Sequence, residues 1–267
     1  MDHSDYEALD AGGVAEALGE LAGVFSLEIL PECDSTNSRL LDNPPPGDGR
    51  VHVLAAERQT AGRGRRGRAW QSWPGAGLTF SVLWRFAPAA HVPAGLSLVV
   101  GLAVARTLEE LGVEGVALKW PNDVLIHGKK LGGILVELSS GRGRGLAAVI
   151  GIGINLRMPA DAAVDSPTGV TDLASCLASP PGPSRLLGLL LAELQRFLEI
   201  YASAGFTALR GAWQQRNAFA DLPVRILGEA HELTGTCVGV DDDGALLLQT
   251  AEGLRRVLSG DVSLRLA

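Results

Sequence analysis

The sequence is poor in cysteine, carries an excess of negative charge and has no long hydrophobic run. Its three cysteines are odd in number and far apart, which excludes a disulfide framework and a metal-ligand spacing and is typical of a reducing, cytoplasmic compartment. With 30 acidic against 23 basic residues, the net charge is −7. That balance argues against broad binding to nucleic acid or to a membrane surface. Any anion-binding site is therefore expected to be local.

No segment has the pattern of an export signal or of a membrane span. The N-terminal stretch MDHSDYEALDAGG is acidic and has no apolar core, unlike a signal peptide. The most apolar stretch, 186–200, is interrupted by Glu193, Arg196 and Glu199. Those charges predict a buried amphipathic helix and no transmembrane one. We therefore expect a cytoplasmic protein.

The pattern of elements changes near residue 221. Before it, strand-like runs are mixed with helical patterns at 8–22, 94–112, 183–205 and 206–219, and with a capped helix start at 34–41, where Asp34 or Ser35 is the expected N-cap. After it, five short strands follow at regular spacing, and DDDG at 241–244 is typical of a hairpin turn. This change predicts a large N-terminal domain and a small β-barrel-like module.

The most unusual stretch is GRGRRGRAW at 62–70, which carries Arg63, Arg65, Arg66 and Arg68. Its glycines also satisfy G-x-G-x-x-G, the dinucleotide-binding pattern, but that pattern requires a helix to open after the third glycine. The following stretch contains Pro74, Gly75 and Gly77, and these residues oppose a helix. The dinucleotide interpretation is therefore rejected.

Two other interpretations of the arginine loop remain. It could be a solvated basic turn, or it could bind anions. Arginines at this density repel one another unless an anion neutralises them, and Trp70 and Trp73 follow directly as rings that could stack on a base. We favour a flexible, glycine-hinged loop that closes over an anionic group and an aromatic ring. Our hypothesis is that residues 62–73 become ordered when ligand binds.

Polar residues also stand at the ends of several predicted strands. Lys119 ends one strand and is followed by Asn122 and Asp123, and Lys130 and Asn155 lie at the ends of others. Each alone is more often a surface residue or a satisfied buried polar group. Gly132 and Gly133 inside a strand suggest that something approaches the backbone closely. Together these residues predict a polar site facing the arginine loop.

Five motifs occur in order: DSTN (34–37), ERQTAGRGRRGRAW (57–70), KWPNDVL (119–125), KLGGILVE (130–137) and GIGIN (151–155). As a set they resemble the biotin protein ligases, or biotin–[acetyl-CoA-carboxylase] ligases, over about residues 28–265. The resemblance implies an α+β fold, with a mixed β-sheet flanked by helices, like class II aminoacyl-tRNA synthetases. A small SH3-like β-barrel follows. The implied domains are 1–220 and 221–267.

The resemblance also implies an enzyme that uses ATP and Mg²⁺. Such an enzyme converts biotin to biotinyl-5′-AMP and then transfers biotin to a lysine of a biotin carboxyl carrier protein. The implied biotin-binding residues are Ser35, Thr36, Asn37, Gln59, Gly62, Arg63, Gly64, Arg65, Lys130, Gly132 and Gly133. The implied adenylate-binding residues are Arg66, Arg68, Trp70, Lys119, Asn122 and Asn155. Lys119, Arg65 and Lys130 are the implied catalytic residues, and Asp123 is the candidate for Mg²⁺.

Some alternatives stay open. Ser35 and Thr36 could serve only as helix caps, and a homodimer paired through a sheet edge is compatible with the family. Fewer than 30 residues precede the first strand, so we expect ligase activity without a DNA-binding domain. The rivals are a lipoate–protein ligase, against which the arginine loop speaks, and a non-catalytic nucleic-acid-binding module, against which the net acidity speaks.

Overall fold

The computed structural model describes residues 7–87, 94–140, 146–162, 164, 166–228, 232–260 and 262–267. The helices are α1 (Ala11–Leu18), α2 (Thr36–Asp42), α3 (Leu96–Glu110), α4 (Pro183–Ala204) and α5 (Thr207–Gln214). The first seven strands are β1 (Phe25–Cys33), β2 (Val51–Gln59), β3 (Gly77–Arg85), β4 (Val116–Lys119), β5 (Asp123–Ile126), β6 (Lys129–Ser140) and β7 (Leu146–Asn155). The last five are β8 (Pro223–Leu227), β9 (Glu232–Val240), β10 (Leu246–Thr250), β11 (Gly253–Val257) and β12 (Ser263–Leu266).

The first seven strands form one mixed sheet in the order β1-β2-β3-β7-β6-β5-β4. Strands β1 and β2 are parallel and the other neighbours are antiparallel. On one face, Leu40 of α2 packs with Leu54 and Leu83 of the sheet, while α3 and α4 help build the larger core. The predicted α+β arrangement, a mixed sheet flanked by helices, is therefore confirmed.

Two predicted helices are shorter than expected. The α-helix predicted at 8–22 is only α1, because Asp10 caps its first turn and Gly19, with φ 56°, ends it. A 3-10 helix, Gly19–Val24, follows it directly. Helix α5 stops at Gln214 and does not reach 219. The chain beyond it runs along β4 instead, where Leu118 exchanges backbone hydrogen bonds with Arg216 and Ala218 at 2.7 and 2.9 Å.

The last five strands form a separate antiparallel sheet in the order β11-β10-β9-β8-β12. All five predicted strands are present among the described residues. The turn before β10 contacts the larger sheet, where Trp120 Nε1 donates to the Gly244 carbonyl at 3.0 Å. The SH3-like topology and the boundary at 220/221 stay predictions. None of the described helices is long and apolar enough to cross a lipid bilayer.

Candidate active site

A cavity of about 370 Å³ lies between the arginine loop and the large sheet. It is lined by nearly all the residues that the sequence predicted for the site: Ser35, Thr36, Asn37, Gln59, Arg63, Gly64, Arg65, Arg66, Arg68, Trp70, Lys119, Asn122, Asp123, Lys130, Gly133 and Asn155. Gly62 and Gly132 do not line it. A Cβ on either glycine would meet a backbone carbonyl, that of Trp70 at 2.5 Å or that of Gly153 at 2.6 Å. Glycine is therefore needed at both positions because the neighbouring backbone leaves no room for a side chain.

Uncharged polar groups form one part of the cavity. The Thr36 amide donates to Gln59 Oε1 at 2.8 Å, and Ser81 Oγ lies 2.7 Å from Thr36 Oγ1. Ser81 also donates to Asn37 Oδ1 at 2.6 Å. Ser35 caps α2 by accepting from the backbone of Ser38 at 3.4 Å. The cap places these side chains at the cavity wall, so capping and ligand binding are compatible roles.

A cationic group forms the neighbouring part of the cavity. Asp123 lies between two lysines, 2.6 Å from Lys130 Nζ and 3.7 Å from Lys119 Nζ. Lys119 is only 5% exposed, and burial lowers its pKa, with the positive charges of Arg265 and Lys130 acting in the same direction. A buried ammonium with one carboxylate shared between two cations is suited to receive an anionic ligand.

The two parts lie side by side along β6 and β7. Asn37 packs against Gly151, and Lys130 and Trp70 pack near Gly133. Gly151 pairs with Leu135 across the sheet, two residues along β6 from Gly133. At the rise of a β-strand, two residues correspond to about 7 Å. The cavity is therefore suited to a ligand that has a neutral polar end and an anionic end.

The arginine loop is a short hairpin on top of this cavity. The Gly64 amide donates to the Arg68 carbonyl at 2.7 Å, and the Trp70 amide donates to the Gly62 carbonyl at 2.8 Å. The chain then enters β3 with no helix between them, which confirms that the dinucleotide interpretation was rightly rejected. Arg66 adopts a left-handed conformation with φ 60°, which is uncommon for a residue other than glycine.

The four arginines have different surroundings. Arg63 donates to Glu137 at 2.6 Å and to Ser38 Oγ at 3.2 Å. Arg65 contacts Asn122 Oδ1 at 3.3 Å and donates to the carbonyls of two C-terminal residues, Gly260 at 2.6 Å and Ser259. Arg66 and Arg68 are exposed at the rim. The loop thus joins the large sheet to the C-terminal sheet.

Trp70 anchors the end of the loop. A Cβ on Gly153 would lie 2.5 Å from the Trp70 indole ring, so the ring packs directly on the backbone of β7. Lys130 Nζ lies 5.9 Å from the centre of the same ring. The glycine at 153 is therefore required for the close approach of the ring to the sheet.

The two asparagines are held by backbone carbonyls. Asn122 Nδ2 donates to the Ile134 carbonyl, and Asn155 Nδ2 donates to the Thr171 carbonyl, each at 2.9 Å. Asn155 is 9% exposed. Each side chain is fixed in orientation while it lines the cavity.

Several cavity residues were missed by the sequence analysis. The segment 262–265 of the C-terminal sheet and residues from the irregular stretch 157–182 also line the cavity. Gly151 also lines the cavity and was missed. So was its partner Ser81 on β3, which does not line the cavity but contacts Thr36 and Asn37. The alternating glycines of GIGIN (151–155) could have indicated Gly151, because glycine inside a strand allows close approach to its backbone. Nothing in VSLRL (262–266) indicated that this segment lines a site.

The described residues contain no cluster of three or more His, Cys, Asp or Glu side chains that could hold a metal ion. Among the described residues that line the cavity, Asp123 is the only acidic one. A Mg²⁺ ion commonly takes one or two carboxylates and completes its shell with phosphate oxygens and water. The donor set therefore fits a metal that arrives with a phosphate ligand.

The mixed sheet, with its neutral polar pocket beside clustered cations, and the family match that follows together place the chain in the class of biotin and lipoate ligases. Residues 33–155 match the family described as "Biotin/lipoate A/B protein ligase family". Residues 223–265 match the "Biotin protein ligase C terminal domain". Within that class, the chain belongs to the biotin protein ligase family.

Individual relatives agree with this assignment. The chain is 37% identical to the "Biotin--[acetyl-CoA-carboxylase] ligase" of Paracoccus denitrificans over 88% of this chain and 98% of that protein. It is also 37% identical to the "Bifunctional ligase/repressor BirA" of Escherichia coli over 94% of this chain and 78% of that protein. The structure of the Aquifex aeolicus biotin protein ligase in complex with biotin and ATP has a TM-score of 0.78 at 34% identity. The match covers 91% of this chain and 99% of that one.

Proposed function

We propose that the chain is an ATP-dependent biotin protein ligase that forms biotinyl-5′-AMP and transfers biotin to a lysine of a biotin carboxyl carrier protein. The observation that carries this proposal is the composite cavity, in which neutral polar groups and a cationic group lie side by side under the arginine loop. Relatives named as biotin–[acetyl-CoA-carboxylase] ligases support it, as does the neighbour that binds biotin and ATP.

The neutral part of the cavity suits the ureido ring of biotin. That ring is polar and uncharged, with N–H donors and a carbonyl acceptor. Thr36, Asn37 and Gln59 offer short uncharged donors and acceptors, and Ser35 caps the helix that carries two of them. The valeryl chain then leads the carboxylate towards Lys130 and the arginine loop.

In the first step the biotin carboxylate attacks the α-phosphorus of ATP. A bond forms between the carboxylate oxygen and phosphorus, and pyrophosphate leaves with the electron pair of the broken P–O bond. Both reactants are anions, so concentrated positive charge stabilises the transition state. Lys119 and Lys130 provide that charge from the sheet. The loop provides more of it through Arg65 and the exposed Arg66 and Arg68.

In the second step the amino group of the acceptor lysine attacks the acyl carbon. An amide bond forms, AMP leaves and the ammonium proton is released. The mixed anhydride would hydrolyse if water reached it, so a loop covering the cavity protects it. Trp70, packed on Gly153 beside Asn155, is the ring that we assign to the adenine.

Mg²⁺ would neutralise phosphate charge in the adenylation step. Asp123 is the residue that would hold it, directly or through water, with the phosphates supplying most of the other ligands. The carboxylate would then exchange its ion pair with Lys130 for the metal. We also propose that the enzyme is cytoplasmic and does not bind DNA. We further propose that it forms a homodimer through a sheet edge.

The proposal is tested by incubating the protein with ATP, Mg²⁺, biotin and a carrier domain and by detecting transfer with streptavidin. Replacing biotin by lipoate separates the two branches of the class. Lys130→Ala and Arg65→Ala are expected to lower transfer by at least about 100-fold, because each removes a cation that faces developing negative charge. Transfer of lipoate in preference to biotin would reject the biotin assignment.

A further inference from the structure

Glu137 lies outside the cavity lining but touches both the polar part of the cavity and the loop above it. Its Oε1 accepts from Arg63 Nη2 at 2.6 Å, and its Oε2 accepts from Asn37 Nδ2 at 2.9 Å. The side chain is 23% exposed. Each carboxylate oxygen of Glu137 therefore serves a different structural unit, the loop or helix α2.

The carboxylate determines which way the Asn37 amide faces. An ionised carboxylate only accepts hydrogen bonds, so the Asn37 NH₂ group has to point towards it. The same NH₂ group donates to the Leu135 carbonyl at 3.3 Å. The amide oxygen is then turned towards Ser81, 2.6 Å away, on the opposite side.

Close packing keeps the amide in that orientation. A Cβ on Gly151 would lie 2.2 Å from Asn37 Oδ1, so the amide lies directly against the backbone of β7. Gly151 pairs with Ser81 on one side and with Leu135 on the other. The Asn37 amide is thus surrounded by three strands and by Glu137.

The second contact of Glu137 holds the start of the arginine loop. The contact with Arg63 is a charge-assisted hydrogen bond, which is stronger than a neutral one. The carboxylate is largely shielded from water, so the pair is screened less than a fully exposed one. Arg63 also donates to Ser38 of α2, and the loop is therefore tied to both β6 and α2.

We infer that Glu137 is a positioning residue that fixes the Asn37 amide and the arginine loop in one arrangement. Through it, the group that meets the ring of biotin and the loop that covers its carboxylate are held together. This inference rests on the proposed function for its ligand. The links Arg63–Glu137–Asn37–Ser81 do not depend on the identity of that ligand.

The test variant is Glu137→Gln. Glutamine keeps the size but loses the charge that holds Arg63, and its NH₂ group lets the Asn37 amide turn over. Loss of a hydrogen bond to a charged group predicts a rise in the biotin KM of about tenfold or more, with an ATP KM within about twofold of wild type. Without ligand, trypsin is expected to cleave Glu137→Gln within residues 62–70 several times faster than it cleaves wild type, because the loop has lost its charged contact with residue 137.

Glu193→Gln is the matched control. Glu193 pairs with Arg196 on α4 at 2.6 Å with a side chain that is 17% exposed, so the distance and shielding resemble those of the Arg63 pair. Neither residue lines the cavity. The control is expected to leave both KM values and the loop cleavage rate unchanged.

An unchanged biotin KM in Glu137→Gln would overturn the inference, as would equal rises in the KM values for biotin and ATP. If wild-type protein transfers no biotin, the proposed function fails, and loop cleavage alone decides the role of Glu137. Equal cleavage rates in wild type and Glu137→Gln then reject it. If Glu137→Gln does not fold, as judged by its melting curve, Arg63→Gln must still accelerate cleavage after Arg65, Arg66 or Arg68 for the inference to stand, since the substitution removes only the site at residue 63.

Discussion

At the scale of single residues, the site contains a buried lysine, Lys119, whose charged form is disfavoured by its burial. Lys119 is nearly inaccessible, and desolvation lowers its pKa below the ordinary 10.5, although Asp123 partly opposes the shift. The charged form is therefore costly in the folded state. Such a cost is expected where charge serves catalysis more than stability.

We predict that Lys119→Met lowers adenylate formation by about 100-fold or more without lowering the melting temperature at pH 7. Methionine fills a similar volume and removes a buried charge, so the variant is expected to melt at the same or a higher temperature. Pyrophosphate release and calorimetry measure the two effects. A clear fall in the melting temperature would contradict the prediction.

The pH dependence has a definite sign. Because the folded-state pKa of Lys119 is lowered, the unfolded chain binds this proton more tightly, and stability rises with pH between the lowered pKa and 10.5. The stability difference between Lys119→Met and wild type should therefore shrink as the pH approaches 10.5. Lys129→Met, at an exposed neighbouring lysine, should show neither effect.

Strand-end polar residues could be predicted from the sequence because strand ends converge on the edge of a sheet. Lys119, Asn122, Asp123 and Lys130 all reach the cavity. Glu137 could not be predicted, because its role depends on the pairing of β6 with β7 and on the packing of α2 over them. That information is in the tertiary contacts and not in local spacing.

At the scale of elements, the arginine loop is the segment whose position decides whether the cavity is covered. We predict that biotin with ATP protects residues 62–73 from trypsin, because closure over the ligand buries the arginines at which trypsin cleaves. Limited proteolysis with and without ligand measures this. Equal cleavage rates would contradict it.

Gly153→Ala tests the anchor of the same loop. The new Cβ would overlap the Trp70 ring, so Trp70 must leave β7 and the protection by ligand should be lost. Gly211→Ala on α5 is the control, since a Cβ there meets nothing within 4 Å. It is expected to keep the protection intact.

The order of strands and helices could be predicted because hydrophobic periodicity and turn residues are local. The end of α5 could not, because the segment after Gln214 prefers hydrogen bonds to β4 over another helical turn. The hairpin form of the arginine loop was also beyond prediction. It depends on the Gly64–Arg68 and Gly62–Trp70 hydrogen bonds, which a glycine-rich sequence allows without requiring.

At the scale of the whole molecule, the C-terminal sheet takes part in the site. Arg65 donates to the carbonyls of Ser259 and Gly260, and Trp120, next to Lys119, donates to the carbonyl of Gly244. The sequence predicted a separate β module but gave no reason to place it against the cavity. These contacts predict that loosening the module weakens adenylation as well as stability.

Comparing Gly244→Ala with Gly112→Ala separates a loss of adenylation and stability caused by the C-terminal sheet from the backbone strain of any left-handed alanine. Gly244 has φ 77°, and a Cβ there would lie 2.8 Å from Gly95 Cα. Gly112 has a similar φ of 83° with nothing within 4 Å, so Gly112→Ala carries only the strain of a left-handed residue, about 1 kcal/mol. Gly244→Ala adds a steric overlap of about 1–3 kcal/mol and shifts the carbonyl that holds Trp120.

We expect Gly244→Ala to melt at a lower temperature than Gly112→Ala and to raise the ATP KM, whereas Gly112→Ala leaves the ATP KM unchanged. Equal melting temperatures and equal ATP KM values for the two variants would show that the C-terminal sheet does not support the site.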